Sequence, residues 1–222
     1  RIRSRSVLGL RRHTRLGLEI AAGAVVLVLL GARGCLAAGI TLPGVGDVDL
    51  GIAAPLLWEG LLVALAECAR IADGMDGIVC GTSFAAMLGL MGVMTCWAGS
   101  RWAFAAALAG SLMAFLLWNF PPAKLRLGSV GSLFLAGMLG ASLCIGWPGL
   151  TLPLALPFWL EAAWSACDPG LQGQPGPQAA VPLGTAPRWL ELRGQSAEQI
   201  FYTFCVIAML GVALTVQLAK IS

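Results

Sequence analysis

Charge is scarce in this sequence. Of 222 residues only 11% are charged, with 14 Lys and Arg against 11 Asp and Glu, a net charge of +3. A soluble domain carries about 25% charged residues, so a water-soluble fold and a disordered tail are both excluded. Nucleic-acid binding is excluded as well, because so small a net charge builds no basic face. There is one histidine, His13, in a basic terminal stretch, and one tyrosine. The seven cysteines include no C-x-x-C pair, and most fall in apolar runs. They read as small buried hydrophobes, with no disulfide framework and no zinc site.

What is abundant is apolar. Hydrophobic residues make up 58% of the chain and the mean hydropathy is +0.84. That composition belongs to a polytopic membrane protein, an all-α fold of about seven transmembrane helices. A spanning helix needs about 20 mostly apolar residues. The candidates run near 16–38, 51–71, 83–99, 102–119, 130–146, 149–166 and 198–219. The second carries Glu59 and Glu67, and acids inside a span face a bundle interior or a wet cavity. Pro148, Pro153 and Pro157 break the sixth. Residues 1–15 form a basic N-terminal segment, and 16–222 form the membrane domain. Within it, residues 167–197 make a Gly/Pro-rich connection without a periodic pattern.

The chain opens on RIRSRSVLGLRRHTR, basic and free of acids. This reads as the remnant of an organelle-targeting segment or as a loop of a longer chain. With the N-terminus on the cytoplasmic side, or its stromal or matrix equivalent, the inner segments hold eleven bases, from Arg1 to Arg193. The outer segments hold Arg101 and Lys220, so the positive-inside bias puts the C-terminus opposite. The second, fourth and sixth connections then share one face with the N-terminus.

Two of those connections carry chemistry. The first is Asp73-Gly74-Met75-Asp76-Gly77, two acids three apart between glycines. Such a pair suits Mg²⁺ and a phosphate ligand, or caps the next helix. The second runs from Asn119 through Pro121, Pro122, Lys124 and Arg126 to Gly128, Gly131 and Ser132. Lys124 and Arg126 suit phosphate, and a helix opening at the glycines offers free N–H groups to an anion. A tight re-entry turn with snorkelling bases is the other reading.

Together these segments resemble the phospho-N-acetylmuramoyl-pentapeptide transferase (MraY) branch of the polyprenyl-phosphate N-acetylhexosamine-1-phosphate transferases, in glycosyltransferase family 4. ADGMDGIV matches that branch's TDGLDGLA-type segment. LLWNFPPAKLRLGSVGSLFLAG matches its LWFNxxPAxxFMGDxGSLxLGG stretch. Glu161 in FWLEAAWS and the end from Thr185 onward follow it too. The resemblance covers about residues 15–222, the C-terminal part of a ten-helix bundle. It implies Mg²⁺-dependent attack of polyprenyl phosphate on a UDP-sugar, forming lipid I for peptidoglycan. It implies a catalytic and metal-binding role for Asp73 and Asp76, and substrate contacts for Asn119, Lys124, Gly128, Gly131, Ser132 and Glu161.

The sequence also departs from that pattern. Ser129 stands where the family has a third acid, and Arg70 where it has an asparagine. Ala186 to Leu192 replaces a histidine-rich element, putting Arg188 and Trp189 among its positions. An Asp-Asp pair from an earlier helix has no counterpart in these residues. The expectation drawn is a catalytically impaired homologue, a structural or assembly subunit among other membrane protein subunits, with no cofactor. In that reading the Arg70 guanidinium, beside Asp73 and Asp76, takes over the charge of the metal. The alternative is an active or fragmentary transferase, with Mg²⁺. A bacterial inner membrane suits the enzyme, and an organelle membrane suits the subunit.

Overall fold

The computed structural model describes residues 12–42, 46–73, 75–97, 102–144, 152–167 and 185–221. The basic residues 1–11, Arg101, the stretch around Pro148 and residues 168–184 of the Gly/Pro-rich connection lie outside them. Among the described residues the fold is all-α apart from one hairpin. Helix α1 spans Arg12–Ala32, α2 Ala54–Ala72, α3 Ile78–Trp97, α4 Trp102–Asn119 and α5 Gly128–Cys144. Helix α6 spans Leu156–Cys167, α7 Ala186–Leu192 and α8 Ala197–Ile221. Strands β1 (Gly39–Leu42) and β2 (Gly46–Asp49) pair antiparallel in the α1–α2 connection, with Ile40 opposite Val48.

Among the described residues, three helical stretches are long and apolar enough to cross a membrane: His13–Ala32, Gly51–Ala72 and Ala197–Ala219. Ile78–Val93, Ala103–Asn119 and Gly128–Ser142 are shorter apolar helices. The chain is therefore a polytopic membrane protein, as its composition requires. Large apolar side chains such as Val28, Leu117, Val130, Phe134 and Met209 point outward. Such a surface is stable against lipid rather than water.

Three boundaries differ from the sequence expectation. Helix α1 stops at Ala32, six residues short of the expected end at 38, and the hairpin begins just beyond that end, at Gly39. Helix α3 starts at Ile78, directly after the two-acid turn and five residues ahead of the expected start at 83. Helix α6 has only 12 residues, because Leu152–Ala155 forms a separate 3-10 turn ahead of it. Prolines 153 and 157 explain that break: neither can donate a backbone N–H, so each fits only at a helix start.

The core lies between α2, α3, α4 and α5, with α6 and α8 closing it. Leu65, Met87, Leu90, Leu139, Leu154 and Phe158 are all at most 1–2% exposed. Small residues let these helices approach closely, as they do in lipid. Gly211 of α8 is the tightest case, since a Cβ there would sit 2.2 Å from the Pro153 carbonyl oxygen. At the far end, the Trp58 indole N–H donates to the Ala37 carbonyl at 2.8 Å. The Ala37 N–H donates to the Cys144 carbonyl at 2.9 Å. One residue in the connection after α1 thus ties the start of α2 to the end of α5.

Gly211→Ala should lower the thermal unfolding midpoint in mild detergent, at a cost of about 1–3 kcal/mol, because a backbone carbonyl cannot yield as a side chain does. Gly60→Ala, at a site with nothing within 4 Å of the new methyl, should leave the midpoint unchanged or raise it.

Candidate functional site

The two-acid turn and the α4–α5 connection meet at one end of the bundle. Helix α2 ends with Asp73 at its C-cap, whose N–H donates to the Ala69 carbonyl at 3.0 Å. Gly74 lies outside the described residues. Gly77 has φ +80, and a Cβ there would meet Phe201 at 3.0 Å and the Asn119 carbonyl at 3.1 Å. Only glycine turns the chain there without strain or clash. The turn is thus wedged between the end of α4 and the start of α8.

The second connection is folded by its own backbone. The N–H groups of Lys124 and Leu125 both donate to the Trp118 carbonyl, at 2.9 and 3.1 Å. The Asn119 amide donates to the Leu125 carbonyl at 2.7 Å. Gly128, with φ +69, opens α5. Asp76 locks this connection onto the turn from 47 residues away. Its Oδ2 accepts from the Ala123 N–H at 3.1 Å, and its Oδ1 lies 3.2 Å from Arg126 Nε. Asp73, Met75, Asp76, Val79, Asn119, Arg126 and Leu127 line a crevice of about 10 Å³. That is room for about one water molecule.

Burial pushes the Asp73 carboxyl up to about 6, against the opposing pull of the Arg126 cation. Asp76 has its charge balanced directly by Arg126. Mg²⁺ binds one or two carboxylates and completes an octahedron with water and phosphate. Here both oxygens of Asp76 are already engaged. Among the described residues no cluster of three or more His, Cys, Asp or Glu is placed to hold a metal. Among the described residues the donor set is thus two acids with a guanidinium already on one of them, a poor fit to a resident Mg²⁺.

The other expected residues divide. Asn119 joins the crevice. Lys124 does not line it: its ammonium lies 5.7 Å from the Trp118 ring centroid. The Ser132 hydroxyl is buried and turned back on its own helix, donating to the Gly128 and Ser129 carbonyls. Gly131 faces Leu127, whose Cγ would be 2.6 Å from an added Cβ. Ser129 is exposed on the first turn of α5.

Arg70 corrects the sequence expectation. It pairs with Glu67, one turn back on α2, and Glu67 also meets Arg15 of α1 at 3.2 Å. The i,i+3 spacing makes Glu67 its natural partner. The guanidinium on the two-acid turn is Arg126's instead.

Glu161 sits in a separate cavity of about 230 Å³ between α6, α7 and α8, with Trp164, Trp189, Thr203 and Phe204 in its lining. Its side chain is wholly buried. Oε1 accepts from the Ala186 N–H at 3.2 Å, and Oε2 has no partner. Trp189 packs against Trp164 at a tilt, ring centroids 4.9 Å apart, and carries the Arg193 guanidinium at 3.7 Å. Arg188 pairs with Glu191. An apolar wall joins the two sites: Met75 of the turn packs with Ile78, Ala186, Leu190, Ile200 and Phe204.

Helix α7 was not anticipated in the Gly/Pro-rich connection, although Thr185 at its N-cap and Pro187 in its first turn signal a start. The Ala123 N–H contact to Asp76 has no sequence signal at all.

Comparison with known proteins now gives these sites a context. The model of glycosyl transferase family 4 matches residues 6–147. A phospho-N-acetylmuramoyl-pentapeptide-transferase of Moorella thermoacetica is 36% identical over 154 residues, covering 66% of this chain and 47% of the relative. One from a Synechococcus species is 31% identical over 221 residues, covering 93% of this chain and 60% of the relative. One from Chlamydia muridarum is 39% identical over 114 residues, covering 45% and 32%. The chain thus spans between about a third and three fifths of the length of these curated relatives.

Asp73 has a pH signature. Its folded value of about 6 lies above the ordinary 3.8. Stability is therefore complete below the ordinary value and is lost as pH rises through the folded one. Asp73→Asn mimics the protonated form. Its unfolding midpoint should exceed that of the natural chain at pH 7.5, and the difference should vanish near pH 3.5. An unchanged difference across that range would show that burial does not perturb Asp73.

Proposed function

We propose, because this chain belongs to glycosyl transferase family 4 and to its MraY-like branch, that its two-acid crevice is the phosphate-facing part of an MraY-type membrane site. The observation that carries this reading is the double contact of Asp76. It joins the two segments that carry the family resemblance, although α3 and α4 lie between them in the chain.

The ligands are a UDP-sugar, of the UDP-N-acetylmuramoyl-pentapeptide kind, and a polyprenyl phosphate. In the transfer, a lipid phosphate oxygen forms a bond to the sugar-bearing β-phosphorus. The bond from that phosphorus to the bridging oxygen breaks, and the electron pair leaves with UMP. Charge gathers on the phosphate oxygens as this happens, and fixed donors that meet it lower the barrier. The Arg126 guanidinium, with a side chain 68% exposed, and the first N–H groups of α5 are the donors at the crevice mouth. Asp76 positions the first of these and holds the connection that leads to the second. The face with the crevice is the cytoplasmic one or its equivalent, where a nucleotide-sugar is found, and the C-terminus of α8 lies opposite.

A second reading has an observation of its own. Ser129 is exposed and uncharged where the family has an acid, and Arg126 already neutralises Asp76. Both favour a subunit that binds phosphate ligands, turns over poorly alone and works beside other membrane proteins.

One experiment separates these. The purified chain in lipid nanodiscs is titrated with the UDP-sugar and with polyprenyl phosphate, and UMP release is followed. Binding is expected, and Asp76→Asn should weaken it at least about tenfold by freeing both Arg126 and Ala123. Binding with UMP release supports transfer by this chain. Binding without release, with release gained in Ser129→Asp, supports the subunit. No binding of either ligand overturns both.

A further inference from the structure

We propose that Arg126 is the resident cation of the crevice, occupying the place on Asp76 that a divalent ion takes in an acidic phosphate site, and offering its outer edge to phosphate. The phosphate half of this inference rests on the reading above. The charge balance rests on contacts alone.

The two oxygens of Asp76 are used by two different groups. Oδ2 takes the Ala123 N–H and Oδ1 takes Arg126 Nε. A metal bound there would either displace one of them or share Asp76 with the Arg126 cation, which repels it. Displacing Arg126 would leave two positive charges in a crevice about one water wide. Displacing Ala123 would strand a backbone N–H that is partly buried.

Arg126 is also the base that lines the crevice among the described residues. Lys124 is held over Trp118, and Arg70 is held by Glu67. The second acid, Asp73, feels Arg126 as its opposing charge. One guanidinium thus serves both carboxylates.

The side chain has donors to spare. A guanidinium has five N–H groups in a fixed fork. The Nε–H faces Asp76, while the side chain as a whole is 68% exposed against 22% for Asp76. With the side chain this exposed and only Nε placed against Asp76, a phosphate can take the two Nη groups bidentately. Because a guanidinium keeps its charge at every accessible pH, this cation does not depend on the supply of a divalent ion.

The test uses the metal alone. Mn²⁺ is added to the purified chain in detergent, and free Mn²⁺ is read by its EPR signal. The natural chain should show no Asp76-dependent Mn²⁺ site up to about 1 mM, the weak end of carboxylate sites. Arg126→Gln should gain one site, at least about tenfold tighter than any in the natural chain, once the competing charge is gone. The double variant R126Q/D76N should lose it. Two results would overturn the proposal. One is an Asp76-dependent site in the natural chain, read against Asp76→Asn, which needs no Arg126 variant. The other is no gain in an Arg126→Gln variant that elutes and melts as a folded protein. Failure of UDP-sugar binding in the earlier experiment would count against the proposed function and leave this charge balance intact.

Discussion

The site end of the molecule depends on one carboxylate. Asp76 accepts a backbone N–H and faces a guanidinium from the same stretch of chain, 47 and 50 residues further on. Without it, the α4–α5 connection would keep its own internal bonds to Trp118 and Asn119. It would lose its attachment to the turn between α2 and α3. The crevice exists because the two are held together. The glycines on either side serve that contact: Gly77 lets the turn press against Phe201 and Asn119, and Gly128 lets the chain swing into α5.

Much of this was legible in advance, for reasons that are local. Long apolar runs announce helices in lipid, so the helix order follows from composition and spacing. The two-acid turn and the Asn119–Ser132 stretch announce themselves by glycines, prolines and charges clustered between those runs. What stayed hidden is long-range. Arg70 stands three residues from Asp73 in sequence, yet helical geometry turns it to Glu67. Arg126 is far away in sequence and arrives by the folding of a connection. Ser132 looks like an anion ligand on paper, but its hydroxyl is buried and satisfied within its own helix. The hairpin was hidden too, because Gly39–Leu42 and Gly46–Asp49 fall in a short connection read only as a loop.

The family match and the departures from it act on different parts of the site. The scaffold that presents the turn, the connection and Glu161 is present and packed. The charges on it are arranged differently from a three-acid metal centre. Glu161 shows the same division. It is wholly buried and keeps one oxygen without a partner. Its surroundings are the rings of Trp164 and Trp189 rather than imidazoles. The second cavity is therefore apolar and aromatic except for Glu161 and Thr203.

At the far end of the bundle, Ala37, just beyond α1, ties α2 and α5 by backbone and indole hydrogen bonds. At the crevice end, α1 and α2 are linked by the ion pair between Arg15 and Glu67. Hydrogen bonds to backbone hold one geometry, whereas ion pairs that water reaches yield to salt and to competing charge. Helices α1 and α2 are thus held like tongs, riveted at one end and joined by charge at the jaws, while α5 stays packed on α2 in the core. Any splaying of these rods pivots on Ala37 and is largest beside the crevice, so a narrow mouth widens without the far side unpacking.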